Sequence, residues 1–435
     1  MSELPEEQPV VESGMSYRRD ADKGREPRLV AGRAGTRMYS LAALQERIEA
    51  QFTDEYADDS PVLLEADTTA KRLKLILEVV NYVLSVESVP LEAELKAQII
   101  ENIHANLFGY GVLDALMIDP TITTIDIHGA SHLSVRRGHG DLENAGVIFD
   151  DELALRRVIQ RLLADAGAQI NESEPIVETG LTLGGRPVSM SVAMPPATPY
   201  IHVDMRLHPA QAPGLDDLVA VGWMTDEAAA MLRRIALSKY GFTVVSEPES
   251  GKTTLLNAML ALLPGDGIVS VERSGELRLP AGARCLTPVW RASYEETVTF
   301  GEQIEQALGQ APQMLVLDEV RFDEPLTILP LLANVETPRQ IWSARGVTDA
   351  KRLQSGLGML ARRADMSRSE QMVAAFYERL PFVITVRNIQ NRLQLFSIAE
   401  WQSRADSDYP DYVMLFQYRD GASRPTEARL ARWLD

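Results

Sequence analysis

At 435 residues the chain is long enough for about two or three domains of about 150 residues each, and its 45% hydrophobic content is that of an ordinary globular protein. Its 43 basic against 62 acidic side chains leave a formal charge of −19, which opposes non-specific attraction to nucleic acid or to an anionic bilayer, so no nucleic-acid partner is expected. The single cysteine, Cys285, excludes an intrachain disulfide and a cysteine-cluster metal site, and a buried structural thiol is its expected role. No uninterrupted apolar run reaches the roughly 20 residues of a membrane span and the N-terminus is acidic rather than signal-like, so a cytoplasmic protein is expected.

Residues 1–36 mix Glu, Pro, Arg, Gly and Ser without periodicity, the composition of a flexible tail. Over residues 37–108 the apolar spacing is helical: Leu41, Leu44 and Ile48, then Leu73, Ile76, Leu77, Val80 and Leu84, then Leu91, Leu95, Ile99 and Ile103. A helical N-terminal region is predicted there.

Residues 109–208 read as an α+β domain. Gly109 and Gly111 punctuate a turn, Ile122, Ile125 and Ile127 alternate as in a strand, and Leu133, Val135, Val147 and Phe149 continue the alternation. Asp150 is placed to cap a helix through Leu163. Val188–Met194 and Ile201–Leu207 read as further strands. Residues 209–225 are a linker by composition, and a helix is predicted from about Asp226 to Ser238.

Residues 226–400 carry the chemistry. Ser250-Gly251-Lys252-Thr253-Thr254 sits between a strand (Phe242–Val245) and a helix beginning at Thr254, the downstream half of a phosphate-binding P-loop. Unpaired N–H groups and the dipole at the helix start favour an anion; Lys252 can reach the β- and γ-phosphates and Thr253 can ligate Mg²⁺. The upstream half departs from the pattern: Ser246 stands where the first glycine belongs, Glu247 and Glu249 place carboxylates in a loop meant for a polyanion, and Pro248 removes a donor. Taken alone, the stretch is either a specialised nucleotide site or a chance Gly-Lys-Thr on an ordinary helix. Downstream, Met314–Leu317 is an apolar strand ending in Asp318 and Glu319, the geometry by which a strand-end carboxylate holds Mg²⁺ or polarises water. The two elements in this order are far more specific than either, and they predict an α/β core with parallel strands buried on both faces.

With these residues in view, the chain resembles the CpaF/TadA-type branch of the type II/type IV secretion and pilus ATPases, relatives of GspE and PilT. The resemblance covers about Thr69 to Leu380. It rests on Phe108-Gly109-Tyr110-Gly111-Val112-Leu113, on Asp119-Pro120-Thr121-Ile122-Thr123 through Gly129, and on Gly251-Lys252-Thr253-Thr254-Leu255-Leu256-Asn257-Ala258. It implies a RecA-like P-loop domain preceded by an α+β N-terminal domain, with ATP and Mg²⁺ as cofactors. Ser250, Gly251, Lys252, Thr253 and Thr254 would bind nucleotide. Arg206, similar to an arginine of the family's T-I-R-R-F segment, would neutralise phosphate from the other side. The family's Asp box corresponds to Val271–Glu276, in which Glu272 would position the attacking water and Arg273 replaces an aspartate. Glu319, with Arg321 and Glu324, matches the family's Walker B run and would serve the metal together with Thr253. Glu272 and Glu276 are otherwise surface carboxylates of a strand-to-turn segment, and Arg206 a solvated strand-edge arginine.

Other family features are missing. All six histidines (His104, His128, His132, His139, His202, His208) precede the P-loop, so the stretch Ile341–Val347 that stands for the His box has none, and Ala307–Gln313 lacks the family's arginines. The resemblance therefore implies a divergent secretion or pilus-assembly subunit with weak or absent hydrolysis, in a homo-hexamer or in a ring with an active paralogue. It would be docked at the inner face of the cell membrane on inner-membrane platform proteins. The alternatives are a fully active motor, with Arg345 replacing the missing histidine, and a scaffold that binds no nucleotide. Residues 401–435 read only as a C-terminal extension.

Overall fold

The computed structural model describes residues 29–30, 39–56, 60–66, 68–290, 297–321, 331, 338–346, 350–404 and 407–434. Most of the expected tail lies outside them, as do Phe322, Asp323, Glu324 and Val347 of the motifs above. The chain falls into two units, one comprising Met1–Ala115, Gly129–Leu133 and Asn144–Ile159, the other Leu116–His128, Ser134–Glu143 and Gln160–Asp435.

The first unit is helical. After a short antiparallel pair, β1 (Leu29–Val30) with β2 (Tyr39–Ser40), the Ser40 hydroxyl caps α1 (Leu41–Glu55) by accepting from Ala43 N–H. α2 (Pro61–Glu65) has Pro at its first turn, where a missing N–H costs nothing. α3 (Thr69–Val86) and α4 (Ala93–Phe108) follow. Of the apolar positions read from the sequence, Leu44 and Ile48 of α1, Ile76 and Val80 of α3, and Ile99 and Ile103 of α4 meet in one core, joined by Phe52 and Val83, whereas Leu77 is exposed. The glycine-punctuated turn is shorter than expected, since α5 (Val112–Ile118) starts inside it.

The second unit carries two sheets. The first has the order β5-β4-β3-β8-β7-β6, built from β3 (Ile122–His128), β4 (Leu133–Arg137), β5 (Leu142–Asn144), β6 (Ile176–Leu183), β7 (Arg186–Ala193) and β8 (His202–Leu207). Val147 and Phe149 form no strand; β5 ends before them. Asp151 rather than Asp150 accepts from Ala154 N–H at the start of α6 (Glu152–Asp165). β6 carries too many polar residues to be recognised from alternation. On β8 the buried Val203, Met205 and Leu207 alternate with His202, Asp204 and Arg206.

The expected linker contains α7 (Leu215–Ala220): Gly214 N–H donates to the Asp217 carboxylate at its start, and Leu215 and Leu218 are buried. α8 (Asp226–Leu237) is capped by Thr225. The second sheet has the order β11-β10-β12-β13-β9-β14-β15-β16-β17. Its members are β9 (Phe242–Ser246), β10 (Ile268–Val271), β11 (Arg284–Leu286), β12 (Met314–Val320), β13 (Arg339–Arg345), β14 (Phe382–Ile389), β15 (Arg392–Arg404), β16 (Ser407–Arg419) and β17 (Ala422–Pro425). Pairing is parallel from β11 to β14 and antiparallel thereafter. Among the described residues four more helices are α9 (Lys252–Leu260), α10 (Phe300–Gly309), α11 (Ala350–Ala364) and α12 (Ser369–Arg379).

Every residue of β9 is buried because both faces of the sheet are covered: Phe242 and Val244 pack in one apolar core and Val245 in another. The α/β class expected from the sequence is the one adopted. Residue 400, the expected limit of the P-loop domain, falls inside β15. Cys285 is exposed on the edge strand β11, not buried as expected, although its thiol faces inward. Burial, with Glu272 beside it, pushes that thiol up to about 12. Among the described residues no helix is long and apolar enough to cross a membrane.

Candidate functional site

β9 delivers the chain at Ser246 and α9 takes it up at Lys252; the intervening loop is held by its own serines. The Ser246 and Ser250 hydroxyls lie within hydrogen-bonding distance of each other and of the Glu247 carbonyl, their two protons shared among the three contacts. Ser246 is fully buried, so the residue in place of the first glycine acts as an internal tie. Gly251 has φ +86°, and a Cβ there would come within 2.5 Å of the Trp223 ring and 2.9 Å of Leu393. Both the backbone conformation and the space therefore require glycine. Lys252 Nζ donates to the carbonyls of Glu247 (3.0 Å) and Ser246 (3.4 Å). Burial lowers its pKa against the pull of Glu319 and Asp318.

Of the two carboxylates expected to repel a polyanion, one is paired. Glu249, in the left-handed region at φ +57°, forms an ion pair with Arg136 of β4, while Glu247 and Pro248 are exposed. The loop borders a cavity of about 660 Å³ whose lining includes Ser250 to Thr254, Arg136, Arg206, His208, Glu276, Asp318 and Glu319.

The strand-end acids divide their work. Asp318 is buried and accepts from the Ser343 hydroxyl at 2.6 Å. Burial, reinforced by Glu276 and Glu272, holds its carboxyl well above the usual range. Glu319 lies at a register shift in β12 with φ +58°; its N–H donates to Ser343 Oγ at 2.7 Å. Its carboxylate faces Arg321 at 3.5 Å and Arg345 at 3.7 Å. A non-glycine residue in the left-handed region is a strained position of the kind that clusters at functional sites. Arg321 also pairs with Glu178 at 2.8 Å.

Glu272 stands apart from this group. It is fully buried, Ser270 Oγ donates to one oxygen at 2.5 Å and Leu277 N–H to the other at 2.9 Å, and it is not among the residues lining the cavity. Burial raises its pKa, against the hydrogen bonds from Ser270 and Leu277. Its neighbour Glu276 is the one that faces the cavity, 3.4 Å from Thr253 Oγ1 and 2.6 Å from His208 Nε2. Arg273, which replaces the Asp-box aspartate, donates from Nε to the Glu319 carbonyl at 3.0 Å and lies over the Phe300 ring.

The structure thus brings Ser250 to Thr254, Arg206 and Glu319 together and leaves Glu272 behind them. Sequence reasoning missed His208, Arg136 and the cavity-facing role of Glu276. A histidine reaches the site after all, from the end of β8 rather than from the stretch at Ile341–Val347. The two-residue alternation through Arg206 to His208 was the available signal; for Arg136, a strand residue far upstream, none was.

The surroundings fit a magnesium nucleotide. The Thr253 hydroxyl and the carboxylates of Glu276, Asp318 and Glu319 are hard oxygen donors, and the first turn of α9, with Lys252 and Arg206, supplies N–H groups and positive charge. Thr253 and Glu319 would hold the metal, which would supply charge neutralisation at phosphate.

The family described as Type II/IV secretion system protein matches residues 110–337. A putative conjugal transfer protein of Mycobacterium tuberculosis is 32% identical over 238 residues, 53% of this chain and 67% of that protein. The probable conjugal transfer protein TrbB of Sinorhizobium fredii is 27% identical over 216 residues, 48% of this chain and 63% of that one. Among solved structures, the Legionella pneumophila ATPase DotB aligns at TM-score 0.49 with 14% identity, covering 68% of this chain and 81% of that one.

Proposed function

The chain belongs to the type II/IV secretion system protein family, and we propose that it is a nucleotide-binding subunit of such a machine in which hydrolysis of ATP is weak or absent. The observation that carries this reading is the state of the two candidate catalytic acids. The P-loop keeps Gly251, Lys252 and Thr253 at a strand-to-helix junction beside Asp318 and Glu319, which supports binding. Glu272, the acid that the family resemblance assigns to water, is fully buried with both oxygens engaged. A general base must come within about 3 Å of the proton it takes, and Glu272 has no open approach.

The subunit would act as a structural or regulatory member of a ring, a homo-hexamer or a ring shared with an active paralogue, docked on inner-membrane platform proteins. The CpaF/TadA-type branch belongs to the same reading. The family resemblance and the match to conjugal transfer proteins support it.

One observation favours a second reading, an active motor: the Glu276–His208 pair faces the cavity beside Thr253. In that case Glu276 accepts the water proton, His208 holds the carboxylate in its ionised form, and Arg206 and Lys252 neutralise the phosphates.

Equilibrium binding of Mg·ATP, followed by single-turnover hydrolysis, separates these. Saturable binding weakened about 10- to 100-fold in Lys252→Ala, the scale of hydrogen bonds to a charged group, is expected. Hydrolysis that is slow and indifferent to Glu276→Gln supports the first reading, whereas fast hydrolysis lost in Glu276→Gln establishes the second. No binding at about millimolar nucleotide, a free energy near −4 kcal/mol, would leave a scaffold that only inherited the fold.

A further inference from the structure

The face of β8 that carries Arg206 begins with His202 and Asp204, and β3 pairs with it so that His128 lies across from His202 and Asp126 across from Asp204. Residues two apart on a strand share a face, so two imidazoles and a carboxylate converge where β3 ends and β8 begins. His202 Nδ1 is 3.0 Å from His128 Nδ1, with ring centroids 4.1 Å apart. On their far sides, His128 Nε2 lies 3.2 Å from Asp126 Oδ2 and His202 Nε2 3.9 Å from Asp126 Oδ1.

We propose that Asp126, His128 and His202 form a binding site for a divalent cation of the zinc class. Two nitrogens bound to one zinc at about 2.0–2.1 Å in tetrahedral geometry stand about 3.3 Å apart, and the facing Nδ1 atoms are within a few tenths of an ångström of that separation. The carboxylate explains why the His128 nitrogen is available. Accepting the Nε2–H of His128, Asp126 selects the tautomer whose Nδ1 carries a lone pair, which is how a carboxylate orients a metal-bound imidazole. A cation between the rings takes a lone pair from each Nδ1 in place of their contact with each other, while Asp126 orients His128 from behind and places its second oxygen 3.9 Å from His202 Nε2. Water completes the coordination, because both histidines reach solvent: their side chains are 59% and 36% exposed.

Paired imidazoles select Zn²⁺, Ni²⁺ or Cu²⁺ over Mg²⁺. The site is therefore chemically distinct from the hard oxygen donors around Thr253. A bound ion would staple the end of β3 to the start of β8, the strand that leads to Arg206 and His208.

The test is titration of the metal-stripped full chain with Zn²⁺ against a chromophoric indicator, in buffer that contains Mg²⁺. About one equivalent should bind in the wild type, weakened by about tenfold or more in His128→Ala and in His202→Ala, and by about 10- to 100-fold in Asp126→Asn. His139→Ala and Cys285→Ser should bind as the wild type does. His202→Gln, which keeps the side-chain volume, serves if the alanine variant does not fold. Absence of saturable uptake, or uptake that survives substitution of both His128 and His202, overturns the site.

Discussion

His208 Nε2 and Glu276 Oε2 stand 2.6 Å apart, linking the end of β8 to the loop that follows β10. Burial pushes the Glu276 carboxyl up, but His208, Arg206 and Lys252 outweigh it and hold the group below its ordinary 4.5. A carboxyl with a depressed folded-state pKa contributes stability that is present above the unfolded value and lost as pH falls through the folded one. His208→Ala should therefore begin its acid unfolding at higher pH than the wild type and lose about 1–3 kcal/mol at neutral pH. Far-UV circular dichroism against pH measures both; superimposable curves would show that the pair carries no energy.

Gly251 is fixed by its φ of +86° and by the Trp223 ring. Gly251→Ala should cost about 1–3 kcal/mol, the range for a side chain forced into the left-handed region, and should abolish Mg·ATP binding. In a Trp223→Ala background, which loses a buried ring of its own, the contact with Leu393 and the φ of +86° both remain. If Gly251→Ala cost nothing in that background by thermal unfolding, neither would be a source of strain.

Arg136 and Glu249 form an ion pair whose members are 21% and 31% exposed. Opposite signs are expected when it is cut from either side. Arg136→Ala leaves a bare carboxylate in the loop and should weaken nucleotide binding by about 2- to 5-fold, whereas Glu249→Gln should strengthen it by a similar factor, the scale of a partly exposed pair. Isothermal titration of both variants at low and high salt decides it, since the effects should shrink as salt rises.

Asp318 titrates in the other direction from Glu276. Burial, then Glu276 and Glu272, raise its carboxyl well above the ordinary 3.8. The folded chain retains a proton that the unfolded chain has released, so stability falls as pH rises from about 3.8 toward the folded value. Without nucleotide or metal, Asp318→Asn should be more stable than the wild type at about pH 8 and converge with it toward about pH 4. Thermal unfolding across that range is the measurement, and a constant difference between the proteins would remove titration as the cause.

The legible part of this chain was the part whose physics is local. Leu44, Ile48, Ile76 and Ile103 announce their helices by spacing, and β9, β12 and the Gly251-Lys252-Thr253 junction announce a buried parallel sheet carrying an anion-binding turn. What could not be read were contacts made between distant segments. Glu249 looks hostile to phosphate until Arg136, more than a hundred residues earlier, is seen against it. The stretch Ile341–Val347 lacks a histidine as its sequence shows, and the His208 that does border the cavity enters from another sheet. Glu272 resembles a catalytic acid in its motif, while its burial beside Ser270 and Leu277 is a property of the assembled core.

The floor beneath Gly251 has a consequence for how the protein is made. Leu393 packs under the glycine, Leu395 N–H donates to the Trp223 carbonyl at 2.9 Å, and Gln394 reaches the Gly222 carbonyl at 3.0 Å. A ribosome adding about 5–20 residues each second delivers β15 roughly 7–30 s after the phosphate loop. Throughout that interval the nascent loop lacks the floor that Leu393 supplies beneath Gly251.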